Sequence, residues 1–501
     1  MAIYITKTDI KSNIRCNKYC FLSKKYPEKG NSGDLVAKLG KAAEPYFIRA
    51  LKLENLVNNN IFYVPTDVSL NERVEKTRKL IEDKQEKVIY EAAFIYNGVF
   101  VSVDALLLKQ NGSIDFYEFK TRTSSSEEKD DLYLDAAIQY HVIKNSYIEP
   151  EQVFLVMLDS SIKAPLYDEI FVLKSIKEHC LTLEGTVVKE VQATKGTILR
   201  EDLSTALSIG SHCSSPSKCP FYKDCFSKLD EHGVHTLYNI RWTEKLNLIE
   251  KNINNIKDIQ DDAYKGKTIL ERQLQAVKYD KNYINIEAIK KEINPVSGNI
   301  AFLDFETISM PIPLIKGTRA WEHLPFQFSC HLTDMNGNII EHYEYLADKR
   351  EFKNSTLFNQ CAKVLVAALS EAKYFIAYNK SFELSRIKRI CELSDKYGKV
   401  LEGIMEHIIV IDLLPIIRDN FYHKDLKGSF SIKSVLPIFV KDMSYKNLEV
   451  SNGEDAMDYA FKLYFEDPLD DKAREIKQGL LKYCEQDTLG MVEIFKALKR
   501  L

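Results

Sequence analysis

The sequence predicts an α/β protein with two α/β blocks that a helical connector separates. The chain has 501 residues, which is more than a single hydrophobic core usually serves. In each block, short apolar runs typical of strands alternate with longer segments of helical periodicity. Residues 236–290 lie between the blocks, are rich in Lys, Asn and Ile, and carry no catalytic motif. We therefore predict three parts, at residues 1–230, 231–295 and 296–501.

Strand and turn signals place the elements of the first block. The Asn97-Gly98 pair favours a tight hairpin between two strands in residues 88–108. The segments that follow predict a strand, a helix, a buried strand and a strand–helix pair, at residues 113–121, 130–145, 152–158 and 168–195.

Composition limits the classes of function. Hydrophobic residues make up 45% of the chain and charged residues 28%, with a net charge of -3, which is typical of a soluble globular protein. Binding of nucleic acid needs only a local basic groove, so this charge does not exclude it. No apolar run approaches the length of a membrane span, so we expect a cytoplasmic protein without a membrane partner. Ten cysteines in such a chain indicate thiols or metal ligands.

The first block contains a carboxylate–lysine pattern on neighbouring predicted strands. Asp104 lies on one strand, and Glu118 and Lys120 lie two residues apart on the next, hence on one face. Two carboxylates can bind Mg²⁺, and a nearby lysine can orient or activate the attacking water. Gln139, on the following helix, can position substrate or water. Acid–lysine pairs are also common on solvated strand faces.

The second block contains a further set of acids. An apolar run ends in Asp304-x-Glu306, which places both carboxylates on one face of a strand. Tyr483 and Asp487 lie about one helical turn apart. Converging carboxylates repel each other unless divalent cations neutralise them, so the pattern predicts a two-metal site for phosphodiester hydrolysis. The other elements of this block are strands near residues 300–306, 326–333, 339–346 and 374–378 and a last helix near 473–500.

The order and spacing of the first set resemble the PD-(D/E)XK nuclease superfamily. The resemblance is closest to its RecB-like branch, which includes CRISPR-associated exonucleases with an iron–sulfur cluster. It implies a restriction-endonuclease-like domain in which Asp104 and Glu118 bind metal and Lys120 and Gln139 complete the catalytic site. Proteins of this branch hold a [4Fe–4S] cluster with one early and three late cysteines.

The cysteines of this chain have a similar arrangement. The resemblance implies that Cys16 near the N-terminus and three cysteines after the first block, Cys213, Cys219 and Cys225, hold a [4Fe–4S] cluster. Cys20 is an alternative to Cys16, and structural Zn²⁺ on the same thiols is an alternative to the cluster. His212, beside Cys213, is more often an ordinary loop residue than a ligand.

The second set resembles the RNase H-like DEDD 3′→5′ exonucleases of the subtype that uses tyrosine. Asp304 and Glu306 match the first motif, residues 374–383 the second, and Tyr483 with Asp487 the third. The resemblance implies that Asp304, Glu306 and Asp487 bind two Mg²⁺ or Mn²⁺ ions and that Tyr483 orients the water. Glu383 stands where the family usually has Asp. Asp412 is an alternative acid or a strand-end cap.

Further basic and aromatic residues are candidate substrate contacts. Lys316, Arg319 and Trp321 follow the first DEDD motif, where they can meet phosphates and stack on a base. Packing of Trp321 in a loop is an equal alternative. The other candidates are Lys380, Arg386 and residues 427–429. The two-block arrangement also resembles a bacterial family in which an exonuclease-like domain follows a RecB-like domain.

These patterns predict a nuclease that acts on DNA ends, with single-stranded DNA as the expected partner and one active site in each block. One alternative is a nucleic-acid-binding scaffold with protein partners in a CRISPR-type or repair complex and an inactive site. Another is an RNase, because metal sites bind the phosphodiester that DNA and RNA share.

Overall fold

The structure is a computed structural model with a mixed α/β fold. It describes residues 4–30, 34–57, 60–125, 130–167, 169–200, 209–215, 217–227, 229–445 and 448–501. The chain forms two compact units. The first contains Met1–Lys228 and Met310–Trp321, and the second contains Leu229–Ser309 and Glu322–Leu501. Across the described ranges, no helix is both long and apolar enough to cross a membrane.

The first unit contains one mixed sheet and the helices that cover it. Its strands are β1 (Ile5–Thr6), β2 (Ile61–Tyr63), β3 (Lys87–Tyr96), β4 (Val99–Leu108), β5 (Ile114–Thr123), β6 (Gln152–Leu158) and β7 (Phe171–Ser175). Its helices are α1 (Lys7–Arg15), α2 (Asn17–Lys25), α3 (Pro27–Gly30), α4 (Asp34–Leu51), α5 (Leu70–Glu82), α6 (Asp130–Ser146), α7 (Lys177–Ile198) and α8 (Tyr222–Phe226).

The strand order in this sheet is β2-β3-β4-β5-β6-β7, and β1 pairs with β4. One apolar cluster joins the sheet to α6 and α7, and it includes Phe116, Tyr140 and Val187. A second cluster joins the sheet to α4 and to the 310–321 segment, through Phe47 and Ile312 among others. The central strands are therefore buried on both faces, which explains why they read as nearly continuous apolar runs.

The second unit contains a five-stranded sheet and a small two-stranded one in its described part. Its strands are β8 (Tyr283–Ile284), β9 (Ile300–Ser309), β10 (His323–Thr333), β11 (Ile339–Leu346), β12 (Tyr374–Ala377), β13 (Ile409–Asp412) and β14 (Phe421–Tyr422). Its helices are α9 (Trp242–Glu250), α10 (Thr268–Tyr279), α11 (Ile286–Ile293), α12 (Lys349–Lys353), α13 (Leu357–Leu369), α14 (Lys380–Leu393), α15 (Gly398–His407), α16 (Leu413–Asn420), α17 (Ile432–Phe439), α18 (Gly453–Phe465) and α19 (Asp470–Lys499).

The order of the larger sheet is β11-β10-β9-β12-β13. Strand β9 lies at its centre, antiparallel to β10 and parallel to β12. The long helix α19 packs on β9, where the rings of Phe302 and Phe495 meet edge to face with centroids 5.6 Å apart. The carboxylates of β9 and of α19 therefore belong to elements that share one core.

The structure confirms the predicted strands and helices of both blocks, with ends that differ by a few residues. The hairpin around Asn97-Gly98 joins β3 and β4, and both turn residues have the positive φ that such a turn requires. The last helix begins at Asp470, a little before its predicted start at 473.

The division into units differs from the predicted parts at two places. Residues 231–295 belong to the second unit instead of forming a separate connector. They form their own apolar cluster, pair β8 with β14, and approach Gly428 so closely that a Cβ there would lie 2.0 Å from the Thr236 carbonyl oxygen. Residues 310–321 follow β9 in sequence but belong to the first unit.

Candidate active sites

Three carboxylates meet on the second unit. Asp304 and Glu306 lie on β9 and Asp487 lies on α19, and one oxygen of each lies within 4.8 Å of the others. Glu306 is 8% exposed and Asp487 is 6% exposed. Two of the predicted ligands share one face of β9. The third comes from a helix about 180 residues further along the chain, and the structure brings all three together.

Burial and mutual repulsion make this cluster costly in its charged form. Burial raises the pKa of Asp304 well above its usual range, and the nearby carboxylates of Glu383, Asp487 and Glu306 raise it further. Burial, with Asp487, raises the pKa of Glu306 to about 8. Burial also raises the pKa of Asp487 to about 6. Protons or cations are therefore needed to stabilise the cluster at neutral pH.

Glu383 adjoins the three carboxylates from the first turn of α14. Its Oε2 accepts a hydrogen bond from the Phe305 backbone N–H at 3.1 Å, and the side chain is 3% exposed. Burial and Glu306 raise its pKa well above the usual range. Glu383 thus lies at the cluster, as predicted, although the close oxygen triplet does not include it.

Asp412 is a capping residue and does not line the cavity that contains the acids. Its carboxylate accepts hydrogen bonds from the backbone N–H groups of Asn379 at 2.9 Å, Lys380 at 3.1 Å and Leu414 at 3.1 Å. Asn379 has a φ of 78°, which costs free energy in a non-glycine residue. Asp412 therefore holds the turn that directs α14 and Glu383 toward the site.

Tyr483 lies beside the acids and contacts a lysine that the sequence motifs did not identify. The Lys433 ammonium donates to Tyr483 Oη at 3.0 Å, and Tyr445 Oη donates to Asp487 Oδ1 at 2.5 Å. Burial and the carboxylates raise the pKa of both phenols, so both are protonated at neutral pH. Lys433 follows the candidate contacts at residues 427–429 by four positions, whereas Tyr445 has no local sequence signal.

A cavity of about 720 Å³ opens onto the carboxylates. Its lining combines the acids, Tyr483 and Lys433 with the aromatic side chains Phe305, Tyr378, Phe382 and Phe430. The Arg386 guanidinium lies over the Phe382 ring, 5.2 Å from its centroid. Aromatic faces beside a cation suit unpaired bases and their phosphates.

The other candidate substrate contacts lie elsewhere. Trp321 packs in the first unit and donates its Nε1–H to the Thr121 carbonyl at 2.5 Å, so the packing alternative applies to it. Lys316 and Arg319 are exposed on the same segment. Lys427 pairs with Glu231 at 2.5 Å. Lys380 is half-buried and does not line the cavity.

The first unit contains the second predicted site. Lys120 Nζ lies 2.8 Å from Glu118 Oε1, and Gln139 Nε2 donates to Glu118 Oε2 at 2.6 Å. Asp104 Oδ2 accepts from the Phe119 backbone N–H at 2.5 Å. Burial, followed by the charge of Glu118, raises the pKa of Asp104 well above its usual range. The structure therefore brings together all four predicted residues.

Three charged residues that sequence reasoning missed complete this site. Lys7 Nζ lies 2.7 Å from Glu118 Oε1, Lys11 Nζ lies 3.1 Å from Asp135, and Lys120 also bonds Asp135. Asp135 lies one helical turn before Gln139 on α6, a spacing that could have identified it. Lys7 and Lys11 lie more than 100 residues from their partners, and no local pattern predicts those contacts.

The charges in this site decide the protonation of its lysine. Burial by itself would raise the pKa of Glu118, but Lys120 and Lys7 outweigh it and lower that pKa to about 2. Burial disfavours the Lys120 ammonium, but Glu118 and Asp135 outweigh it and raise its pKa well above the usual range. Lys120 is thus an ammonium at neutral pH, which can orient a water or stabilise developing charge but cannot accept a proton.

The four predicted cysteine ligands line one small cavity of the first unit. Cys16 lies between α1 and α2, and it meets the three later cysteines, Cys213, Cys219 and Cys225. Cys20 does not line this cavity, and burial raises the pKa of its thiol to about 12. The structure therefore selects Cys16 over Cys20 as the early member.

Neighbouring groups hold the late cysteine loop in place. Arg15 Nε donates to the His212 carbonyl at 2.8 Å, and Arg15 Nη2 donates to the Ser217 carbonyl at 2.5 Å. Phe21, Leu22 and Phe221 form an apolar cluster against which Cys219 packs. Burial raises the pKa of Cys219, and Cys16 and Cys225 raise it further. A cation centre among the sulfurs would relieve this cost.

Comparisons with known proteins match parts of the chain. Residues 301–431 match a family described as "Domain of unknown function (DUF2779)". The protein MG366 of Mycoplasma genitalium is 26% identical over 242 residues, which cover 44% of this chain and 35% of that protein. UU173 of Ureaplasma parvum is 26% identical over 243 residues, which cover 44% of this chain and 34% of that protein. The matches thus span about a third of the length of these relatives.

A search of solved structures found a chain described as "Crystal structure of SSO0001". It covers 46% of this chain and 89% of its own length, at 17% sequence identity and a TM-score of 0.25.

Proposed function

We propose that this chain is a metal-dependent nuclease that hydrolyses phosphodiester bonds at DNA ends, with a 3′→5′ exonuclease site on an RNase H-like second unit. One observation carries the proposal: the half-buried Asp304 and the buried Glu306 and Asp487 have carboxylate oxygens within 4.8 Å of one another and line an open cavity. Carboxylates at this separation with raised pKa values form a site for divalent cations.

The donor set fits Mg²⁺ or Mn²⁺, because all of its ligand atoms are carboxylate oxygens. Asp304, Glu306 and Asp487 would hold the ions, and Glu383 would complete the acidic wall beside them. Two such ions, when bound, neutralise the charge that develops on the attacking and leaving oxygens.

The remaining groups of the cavity bind and orient the substrate. The phenol of Tyr483 is protonated and fixed by Lys433 at 3.0 Å, so it can donate a hydrogen bond to a water or to a phosphate oxygen. Phe382 is half-buried and lines the cavity, where its ring can stack on an unpaired base. This contact favours single strands over duplex, because the stacked bases of a duplex hide their faces.

The first unit is proposed as a PD-(D/E)XK-like domain with its own metal-dependent site. Asp104 and Glu118 would hold the ion there, with Gln139 fixing Glu118 and the Lys120 ammonium orienting the water. One observation favours the alternative that this unit binds nucleic acid without cleaving it: both oxygens of Glu118 already contact Lys7, Lys120 or Gln139. A metal ion must displace one of these contacts.

The four cysteines are proposed to hold a [4Fe–4S] cluster. The cavity supplies four thiols and apolar side chains around them, which is the ligand set of such a cluster. Tetrahedral Zn²⁺ on the same four thiols is the alternative.

The test is cleavage of 5′-labelled single- and double-stranded DNA and RNA with Mg²⁺ or Mn²⁺, comparing the wild type with Asp304→Asn. We expect a ladder that shortens from the 3′ end of single-stranded DNA, and its loss in Asp304→Asn. Asp334→Asn, which changes a carboxylate in the β10–β11 turn, is the matched control. Equal cleavage by Asp304→Asn would refute the site. Preferential cleavage of RNA would favour the RNase alternative. Immediate release of a labelled mononucleotide would show that cleavage starts at the 5′ end instead of the 3′ end.

A further inference from the structure

A second group of metal-ligand side chains lies in the second unit, outside the acid cavity. His331 of β10, His342 of β11 and Glu485 of α19 each place one ligand atom within 4.8 Å of the others. The two histidines are direct cross-strand partners. None of the three lines the cavity of Asp304, and none has a part in the proposed hydrolysis.

Two hydroxyl groups connect these imidazoles. Ser329 Oγ lies 2.9 Å from His342 Nε2 and 2.7 Å from Thr488 Oγ1. Thr488 Oγ1 lies 2.9 Å from His331 Nδ1. Thr488 Oγ1 also lies 3.0 Å from the backbone carbonyl oxygen of Glu485, one turn earlier on α19. This series of contacts therefore ends on the Glu485 carbonyl oxygen, which can accept a hydrogen bond but cannot donate one.

One arrangement of protons satisfies every contact in this series. Thr488 gives its single proton to the carbonyl, so its oxygen accepts from Ser329 and from His331 Nδ1–H. Ser329 has then used its proton, so it accepts from His342 Nε2–H. In this arrangement the ring nitrogens left for a metal are Nε2 of His331 and Nδ1 of His342. Metal-binding histidines have this arrangement, in which the second ring nitrogen donates to a fixed acceptor.

The group is buried at one end and open to solvent at the other. His331 is 3% exposed. His342 is half-buried and Glu485 is exposed. A cation can therefore enter from the side of Glu485 and meet the two imidazoles and the carboxylate.

We propose that His331, His342 and Glu485 bind one zinc ion. Two imidazoles and one carboxylate are a common zinc ligand set that leaves a fourth position for water. The same nitrogens discriminate against Mg²⁺, which prefers oxygen ligands. The rings now stack with centroids 4.2 Å apart and planes 16° apart. Zinc bonds of about 2.0–2.1 Å require donor atoms about 3.4 Å apart, so the rings rotate out of the stack on binding.

The ion would join the edge of the sheet to the last helix. Strand β11 is the edge strand, and α19 carries Tyr483 and Asp487 of the acid site. A bond from each of β10, β11 and α19 to one ion crosslinks these elements. Zinc at this position therefore stabilises the packing of α19 against the sheet and raises the melting temperature.

The experiment is calorimetric titration of Zn²⁺ into the full chain, purified with its cysteine centre filled. An Asp104→Asn, Asp304→Asn, Glu306→Gln background removes zinc binding at both proposed catalytic metal sites. We expect this background to bind one equivalent of Zn²⁺ that His342→Gln abolishes. Glu485→Gln should weaken this binding by at least about tenfold, and because Glu485 is exposed, that variant is not expected to impair folding. Glu493→Gln, a change of another α19 carboxylate, is the matched control and should bind like the background.

The hydroxyl chain gives an independent test. Thr488→Val removes the acceptor of His331 Nδ1–H while keeping the side-chain volume, so zinc affinity should fall by about 10–100-fold. Thr488→Ser should restore it. Equal zinc stoichiometry and affinity in the background, His342→Gln and Glu485→Gln would overturn the proposal. So would a zinc-dependent rise in melting temperature of the same size in His342→Gln as in the background.

Discussion

At the scale of single residues, Lys433 and Tyr445 allow the acids of the second unit to remain together. Lys433 lowers the pKa of Asp304, Glu306 and Asp487 against the effects of burial and repulsion. Tyr445 donates a hydrogen bond to Asp487 at 2.5 Å. Because Lys433 also fixes Tyr483 at 3.0 Å, the lysine and the phenol form one functional pair.

The pair should act as a unit in hydrolysis. Tyr483→Phe and Lys433→Met should each slow cleavage by about 10²-fold, because each leaves the water without its fixed phenol. The double variant should be little worse than either single variant, because both changes remove the same interaction. Single-turnover rates on single-stranded DNA measure this, with Tyr459→Phe as the control. Fully additive losses would show that the two residues act separately.

The raised pKa values predict a pH dependence of stability in metal-free protein. Glu306 holds its proton to about pH 8 when folded but releases it near its ordinary pKa when unfolded. Between those values the native state binds more protons, so the free energy of unfolding falls as pH rises, by up to about 1.4 kcal/mol per pH unit. Asp487 adds to this fall up to about pH 6. Urea unfolding in a chelator from pH 5 to 8 measures the slope.

Glu306→Gln removes the ionisable group and keeps the shape of the side chain. This variant should unfold with a flatter pH profile and be more stable than the wild type at pH 8. Glu341→Gln, an exposed change on β11, should keep the wild-type slope. A wild-type slope in Glu306→Gln would assign the effect to other groups.

At the scale of elements, helix α1 links two sites of the first unit. Its N-terminus is fixed by Thr6, which forms a capping box with Asp9. Its first turn carries Lys7, which contacts Glu118. Its C-terminal end carries Arg15, which holds the late cysteine loop, and Cys16 follows directly. A nine-residue helix is about 14 Å long, so a side chain at one end does not contact the groups at the other.

Lys7 should therefore affect the first site without affecting the cysteine centre. In an Asp304→Asn background, Lys7→Gln should lower the remaining cleavage by about tenfold or more, because Glu118 loses a fixed cation. Its iron content should equal that of the parent. Lys25→Gln, an exposed change on α2, is the control. Unchanged cleavage by Lys7→Gln would contradict the prediction and show that Lys7 has only a structural role.

The cysteine cavity predicts the metal content of the protein. Anaerobically purified protein should be brown and contain about four iron atoms per chain. Cys16→Ser, Cys213→Ser, Cys219→Ser and Cys225→Ser should lose iron, and Cys20→Ser should retain it because Cys20 does not line the cavity. Elemental analysis and visible absorption measure this. If wild-type protein contains stoichiometric zinc and no iron, the four thiols hold a zinc centre instead of the cluster.

At the scale of the whole molecule, each unit has its own core and its own acidic site. The first unit's core includes the sheet with α4, α6 and α7. Residues 234–277 form a separate apolar cluster within the second unit. Each set of catalytic candidates lies within one unit.

The two sites should therefore contribute separate cleavage activities. Lys120→Ala should remove only the products of the first site, and Asp304→Asn only the 3′-shortened ladder. The double variant should be inactive on every substrate that the wild type cleaves. Product analysis with 5′ and 3′ labels separates the two. If Lys120→Ala changes no product in either background, the first unit binds nucleic acid without cleaving it.

The sequence by itself determined the elements and the residues whose signal is local. Alternation along β9 places Asp304 and Glu306 on one side, and helical spacing places Tyr483 near Asp487. The apolar runs predicted the strands, because a strand buried on both faces must be apolar throughout. Such features depend on neighbours within a few residues, where backbone geometry fixes the relative positions of side chains.

Only the tertiary structure decided which distant residues meet. It brought Lys433 and Tyr445 to the acids, Lys7 to Glu118, and a histidine pair to Glu485. It also gave Asp412 a capping role and placed residues 231–295 in the second unit. These contacts arise when separate elements pack into a common core, and the register of that packing depends on the fit of all the buried side chains together, which no local pattern in the sequence records.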